Sequence, residues 1–287
     1  MSESISKYSG VVVPMVTPFT LDGRVDEPAV GRIVDRLVGA KHGGVFALGT
    51  TGEAASIPND EKRRMVAATV AATKKRAVVY AGIASNVFRD SVEAAKTYKE
   101  MGVDAVVAHV PSYYPINEKE IEAYFKRLAD AVELPLLLYN IPQTTNHVIP
   151  LDVVDKLRSH PNVVALKDSS PDPERLTELF KRTGGRGGFP VLLGNSSQFT
   201  HGLKLGGVGL IPSGGHLMPV EYQNLFEAGM AKDWDGVAKW QAATDAAVTP
   251  YLKGKTIGQG LAVLKFMLEK QGICGRTMLP PLLDYSE

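Results

Sequence analysis

The chain has 287 residues, 44% hydrophobic and 22% charged, the balance of an ordinary globular protein with a full-sized core. Lysine and arginine number 32 against 31 acidic residues, and no run of like charge stands out, so nucleic acid and anionic membranes are not expected partners. A single cysteine, Cys274, excludes an intramolecular disulfide and suits a reducing compartment. No apolar run approaches the roughly 18 residues of a membrane span and Met1 to Gly10 has no apolar leader segment, so a cytoplasmic location is expected.

Val11 to Phe19 reads as a first strand and its exit loop, and Asp26 to Val38 as a helix closed by Gly39. Val45 to Leu48 is a buried strand leading into Gly49-Thr50-Thr51-Gly52-Glu53; a helix opens near Pro58, with Asp60 and Glu61 in its first turn. The alternation continues with strand Ala77 to Gly82, helix Asp90 to Met101, strand Asp104 to Val110 and helix Glu118 to Val132. It goes on with strand Leu134 to Tyr139, helix Leu151 to Arg158, strand Val163 to Lys167 and helix Pro173 to Arg182. Gly184 to Gly188 reads as a flexible turn. Strands Val191 to Gly194 and Val208 to Ile211, separated by a helical stretch over Phe199 to Leu205, complete the count at eight.

Apolar strands each followed by a helix require a parallel sheet covered on its outer face, and eight units predict a closed (β/α)₈ TIM barrel of the α/β class. Residues 1–232 would form the barrel. Residues 233–287 would add a C-terminal helical extension, Trp234 to Ala247 and Ile257 to Gln271, packed on the barrel flank or on another subunit, with no linker dividing the chain.

Barrel enzymes place their chemistry at the carboxyl ends of the strands. Lys167 ends an apolar strand there. It reads either as a lysine snorkelling to the surface or as a desolvated amine able to attack a carbonyl. Tyr139 ends the preceding strand; neighbouring strands lie about 4.8 Å apart, so its phenol could share a small molecule with Lys167 and pass protons to it. The loop Gly49-Thr50-Thr51-Gly52-Glu53 offers amides and hydroxyls to a small carboxylate, or is simply a turn, and Tyr113-Tyr114 reads as packing unless something else supports it.

Gly49-Thr50-Thr51-Gly52-Glu53, Tyr139-Asn140-Ile141-Pro142 and Leu166-Lys167-Asp168-Ser169-Ser170, in that order on eight βα units, resemble the dihydrodipicolinate synthase and N-acetylneuraminate lyase family of class I, pyruvate-dependent aldolases. The resemblance runs from about Gly10 to the end of the sequence. It implies that Lys167 forms a Schiff base with the keto carbon of pyruvate or another 2-keto acid, and that Tyr139 shuttles protons. It further implies that Thr51 and nearby amides, with Gly49, hold the carboxylate, and that Thr50 links Tyr139 to a second tyrosine reaching across a dimer interface. By spacing from the proline that tyrosine is Tyr113, with Tyr114 the alternative. The resemblance implies a homotetramer built as a dimer of dimers, and no metal or dissociable cofactor; the six histidines show no ligand spacing.

Two departures bear on the substrate. Thr144 stands where dihydrodipicolinate synthases carry an arginine for a second carboxylate, and a hydroxyl does not replace a guanidinium fork. Gly194-Asn195-Ser196-Ser197-Gln198 lacks the acids that hold the polyol tail in sialate lyases. The far side of the pocket is expected to be lined by Thr144, Asn146, Asn195, Ser196, Ile211 and Ser213, with His216 either a contact or a packed histidine. These neutral groups suit a 2-keto-3-deoxy sugar acid, cleaved or dehydrated through one enamine. The alternatives are a 4-hydroxy-tetrahydrodipicolinate synthase using another cation, and a non-catalytic keto-acid binder, against which the retention of Lys167, Tyr139 and both threonines argues.

Overall fold

The computed structural model describes residues 7–286. Eight parallel strands close on themselves in sequence order, and every neighbouring pair, including the first and the last, is parallel. The predicted TIM barrel is therefore the observed fold. In chain order its elements are β1 (Gly10–Pro14), α1 (Glu27–Gly39), β2 (Gly44–Ala47), α2 (Asn59–Thr73), β3 (Val78–Gly82), α3 (Phe88–Met101), β4 (Ala105–Ala108), α4 (Glu118–Ala131) and β5 (Leu136–Asn140). They continue with a single turn, α5 (Pro142–Thr145), then α6 (Leu151–Leu157), β6 (Val163–Asp168), α7 (Pro173–Thr183), β7 (Val191–Leu193), α8 (Phe199–Leu205) and β8 (Gly209–Leu210). The last three helices are α9 (Pro219–Ala231), α10 (Trp234–Leu252) and α11 (Ile257–Lys270).

The helices form where the sequence supplies both an apolar stripe and a start signal. In α1 the side chains of Ala29, Val30, Ile33, Val34 and Leu37 are buried at helical spacing, and Asp26 caps the helix by accepting from the Ala29 amide at 3.0 Å. Reciprocal capping boxes open α4, through Asn117 and Glu120, and α11, through Thr256 and Gln259. The helix α9 closes the eighth βα unit and was absent from the sequence-based reading. Its buried Pro219, Tyr222, Leu225, Phe226 and Gly229 keep helical spacing, but Gly229 interrupts the apolar stripe because it packs directly beneath Leu203.

The core has two layers, as alternation along a strand requires. Val12, Phe46, Tyr80, Ala105, Val107, Leu137, Ala165, Leu192 and Ile211 fill the barrel interior. The alternate strand residues, such as Val11, Val13, Val45, Leu136, Leu138 and Leu166, meet the helices outside. A bulge settles which residues of β6 point inward. Leu136 pairs with Val163, but Leu137 pairs with Ala165, so Val164 is the extra residue. The one-residue offset places Tyr139 opposite Lys167 and Asn140 opposite Asp168. Without it Tyr139 would face Leu166, and the lysine would have turned to the other surface of the sheet.

The helix α10 packs against α9 and α8 on the outside of the barrel, and α11 packs against α10. Val248, Tyr251 and Leu252 of α10, with Ile257, Gly260 and Leu261 of α11, line the cavity at the carboxyl ends of the strands. They form a roof over the barrel mouth.

Candidate active site

Lys167 sits at this mouth, 3% exposed, with its Nζ 3.8 Å from the centroid of the Tyr139 ring and 5.0 Å from that of Phe46. Burial drives its pKa below the ordinary lysine range, opposed in part by Tyr139, because a desolvated ammonium loses hydration that an aromatic face only partly replaces. Among the described ion pairs none involves Lys167. The other fully buried lysine, Lys265, is unlike it: its Nζ lies 2.5 Å from Glu53, both side chains are 0% exposed, and it donates to the Thr277 carbonyl at 2.7 Å. Burial lowers the pKa of both lysines, but Lys265 has a carboxylate to oppose the shift and Lys167 has only Tyr139.

The outward-facing partners of the same two strands set the geometry. Asp168 accepts from the Ser170 amide at 2.7 Å and from Asn140 Nδ2 at 3.1 Å, and lies 3.6 Å from Arg175. Asn140 in turn accepts from the Ile149 amide, whose carbonyl takes a bond from Arg175. This network lies behind Tyr139 and Lys167 and fixes the register that makes them neighbours. Gly194 follows β7 where any side chain would collide: a Cβ there would come within 2.1 Å of Ser169 Oγ and 3.0 Å of Lys167 Cε.

The threonine loop after β2 is held in an uncommon conformation. Leu48 has φ +60°, rare for a branched apolar residue, and its carbonyl occupies the space beside Gly82, where a Cβ would approach to 2.0 Å. The Gly52 carbonyl accepts from Thr17 Oγ1 at 2.7 Å, and Glu53, itself at φ +57°, anchors the loop end to Lys265 and to the Leu279 amide. Thr50 and Thr51 are thereby presented beside Lys167 and Tyr139 in a cavity of about 280 Å³. A second cavity, of about 690 Å³, shares Thr50 and Tyr139 with the first.

The structure brings together most of the residues singled out from sequence. Lys167, Tyr139, Thr50, Thr51, Asn195, Ser196, Ile211 and Ser213 line the smaller cavity, and Gly49 and Thr144 line the larger. Ser213 Oγ is 2.8 Å from the Tyr251 hydroxyl, while Asn195 caps its own turn by accepting from Ser197. Tyr113 lies elsewhere: it is 78% exposed, edge-to-face with Tyr114 at 5.1 Å, and lines neither cavity. Asn146 is exposed as the left-handed cap of α5 and does not line the pocket. His216 is a packed histidine: Nε2 accepts from the Val16 amide at 3.0 Å, Nδ1 donates to the Ser213 carbonyl at 2.8 Å, and burial lowers its pKa to about 4. Sequence reasoning missed Gln143, which donates to the Ser169 carbonyl at 2.8 Å, as well as Tyr251, Lys255 and His109. Among the described residues no group of three or more His, Cys, Asp or Glu is placed to hold a metal, and no helix is long and apolar enough to cross a membrane.

A closed barrel whose mouth holds a buried lysine, with no carboxylate beside it, against a phenol has the form of a barrel enzyme's active site. Comparison with known proteins narrows this. The model of the dihydrodipicolinate synthetase family matches residues 7–287, and the chain belongs to that family, whose members include N-acetylneuraminate lyases; it is an enzyme of the lyase class. It is 31% identical over 280 residues to 4-hydroxy-tetrahydrodipicolinate synthase of Phenylobacterium zucineum, covering 98% of this chain and 93% of that one. Among solved structures it is similar to YagE, a prophage protein of the same family from E. coli in complex with pyruvate, with a TM-score of 0.92 and 26% identity over 98% and 95% of the two chains. It is also similar to the chloride-inhibited dihydrodipicolinate synthase of Acinetobacter baumannii complexed with pyruvate, with a TM-score of 0.90 and 26% identity over 97% and 94%.

Proposed function

We propose that this lyase forms a Schiff base through Lys167 with the keto carbon of pyruvate or of a 2-keto-3-deoxy sugar acid, and needs no dissociable cofactor. The observation that carries the reading is the unpaired, buried Lys167 amine facing Tyr139. The neutral amine attacks C2, Tyr139 moves protons on and off the carbinolamine as water leaves, and the iminium then accepts electrons from the bond that breaks next. If the C3–C4 bond breaks, the C4 hydroxyl gives up its proton, C4 leaves as an aldehyde and the resulting enamine is protonated at C3; if C3 loses a proton instead, the enamine expels the C4 hydroxyl as water and the outcome is dehydration. Hydrolysis of the imine regenerates Lys167. Thr51 and the loop amides hold the substrate carboxylate, Gly49 keeps the loop open to it, and Thr50 connects Tyr139 to Tyr113 of a neighbouring protomer in a cytoplasmic homotetramer.

The sugar-acid reading is supported by neutral hydrogen-bonding groups around the amine, namely Gln143, Asn195, Ser196, Ser213 and Tyr251, and by Thr144 in place of a guanidinium. A second reading, condensation of pyruvate with aspartate semialdehyde, draws on Lys255, a cation lining the same cavity, and on the activity named for the 31% identical relative. Complementation of a diaminopimelate auxotroph separates the two.

Incubation with pyruvate and borohydride, followed by peptide mass spectrometry, is expected to place one pyruvyl adduct on the Lys167 peptide. The same trap run with a panel of 2-keto acids then ranks substrates. Because burial lowers the Lys167 pKa, the reactive neutral amine persists to lower pH than on a surface lysine. Trapping should therefore continue at neutral pH while surface lysines stay unlabelled. An adduct spread over surface lysines, or one appearing only in alkali, would contradict the reading.

Exposure of Tyr113 on a single chain accords with a role in a neighbour's site. Turnover per protomer is expected to fall as the protein is diluted until it dissociates, and the Tyr113→Phe variant should be slow at every concentration. A fully active monomer would exclude the shared site.

A further inference from the structure

Inside the barrel, Ala105 and Val107 of β4 pack against Phe46, Leu137 and Tyr139, and the next residue of the same parity is His109. An imidazole here replaces what the rest of the stripe supplies as hydrocarbon. Its ring meets the Tyr139 ring edge-on at 6.1 Å between centroids, and it lines the larger cavity with Thr50, Tyr139 and Thr144. Desolvation lowers its pKa and so favours the neutral ring, opposed in part by the hydrogen bond to the Val110 carbonyl.

The hydrogen bonding separates half-buried His109 from His216, which is fully buried at this end of the barrel. Both ring nitrogens of His216 are taken by backbone, the arrangement of a structural residue. His109 commits only Nδ1, which donates to the Val110 carbonyl at 2.7 Å; that bond fixes the tautomer and leaves Nε2 an acceptor without a proton. No described hydrogen bond occupies Nε2. A neutral acceptor on the wall of a substrate cavity suits a hydroxyl, which donates, and offers nothing to a second carboxylate, which also only accepts. Thr144 on the same cavity points to the same preference.

We infer that His109 is a specificity-determining residue whose Nε2 accepts a hydrogen bond from the C4 hydroxyl of the substrate, the first hydroxyl beyond the pyruvyl unit. The inference rests on the keto-acid reading of the site for the orientation of the substrate, with C2 at Lys167 and C4 beside Tyr139, where the two cavities meet. The selected substrate class is a 4-hydroxylated 2-keto acid.

The test compares two probes that lack the ketone and cannot form an imine, 3-deoxyhexonate and 3,4-dideoxyhexonate, by calorimetric titration of wild type, His109→Leu and His109→Gln. In wild type, loss of the 4-hydroxyl should weaken binding about tenfold, the scale of one hydrogen bond to a buried group. In His109→Leu the two probes should bind equally, and His109→Gln, which restores an acceptor, should recover a preference of severalfold. Equal binding of the two probes by wild type overturns the inference without reference to any variant, and so does a preference that survives in His109→Leu. Failure of the Schiff-base reading shows separately, as absence of a pyruvyl adduct on wild type, because neither probe reports on the imine.

Discussion

Lys167→Ala is expected to abolish borohydride trapping of pyruvate and to reduce turnover to background while leaving the protein folded. The side chain is buried without a carboxylate partner. Its removal therefore leaves no orphaned charge, the usual reason that deleting a buried ionisable group unfolds a protein. The contrast with Lys265 is the control. Lys265→Ala would strand the Glu53 carboxylate in a site that is 0% exposed and is expected to destabilise by about 3–5 kcal/mol. Thermal melts should thus separate the two: near-native for Lys167→Ala, strongly lowered for Lys265→Ala. A persistent adduct on another lysine in the Lys167 variant would overturn the assignment.

Tyr139→Phe is expected to lower turnover by about 10²- to 10⁴-fold, the usual contribution of a positioned acid or base. The phenyl ring retains the face against which the Lys167 amine lies and loses only the hydroxyl's interaction with it. Substrate binding should therefore change much less than turnover, and slow trapping should remain detectable over hours. Turnover within threefold of wild type would show that protons travel by another group.

The order of eight strands and the positions of Lys167, Tyr139, Thr50 and Thr51 were legible because each is a local signal: an apolar run that stops on a polar residue at a barrel mouth. What escaped depends on neighbours in space. The bulge at Val164 exists only in relation to β5, and without it the lysine would not face the tyrosine. The roof of α10 and α11 follows from tertiary packing, so the contacts of Tyr251 and Lys255 could not be anticipated from their periodicity. The Asn140, Asp168 and Arg175 network joins side chains from three elements. His109, by contrast, was readable in principle. It shares parity with Ala105 and Val107, but it lies within an otherwise apolar run that was taken as uniform.

The Glu53–Lys265 pair also bears on the order in which the molecule matures. The hydrogen bond from the Leu279 amide to Glu53 spans 226 residues. All eight strands, and Lys167 with them, are synthesised before either of the groups that hold Glu53. A growing chain therefore contains Lys167 before it contains the residues that anchor the threonine loop or roof the mouth. The anchor of the threonine loop is thus among the last contacts the sequence supplies, made by residues that follow the whole barrel.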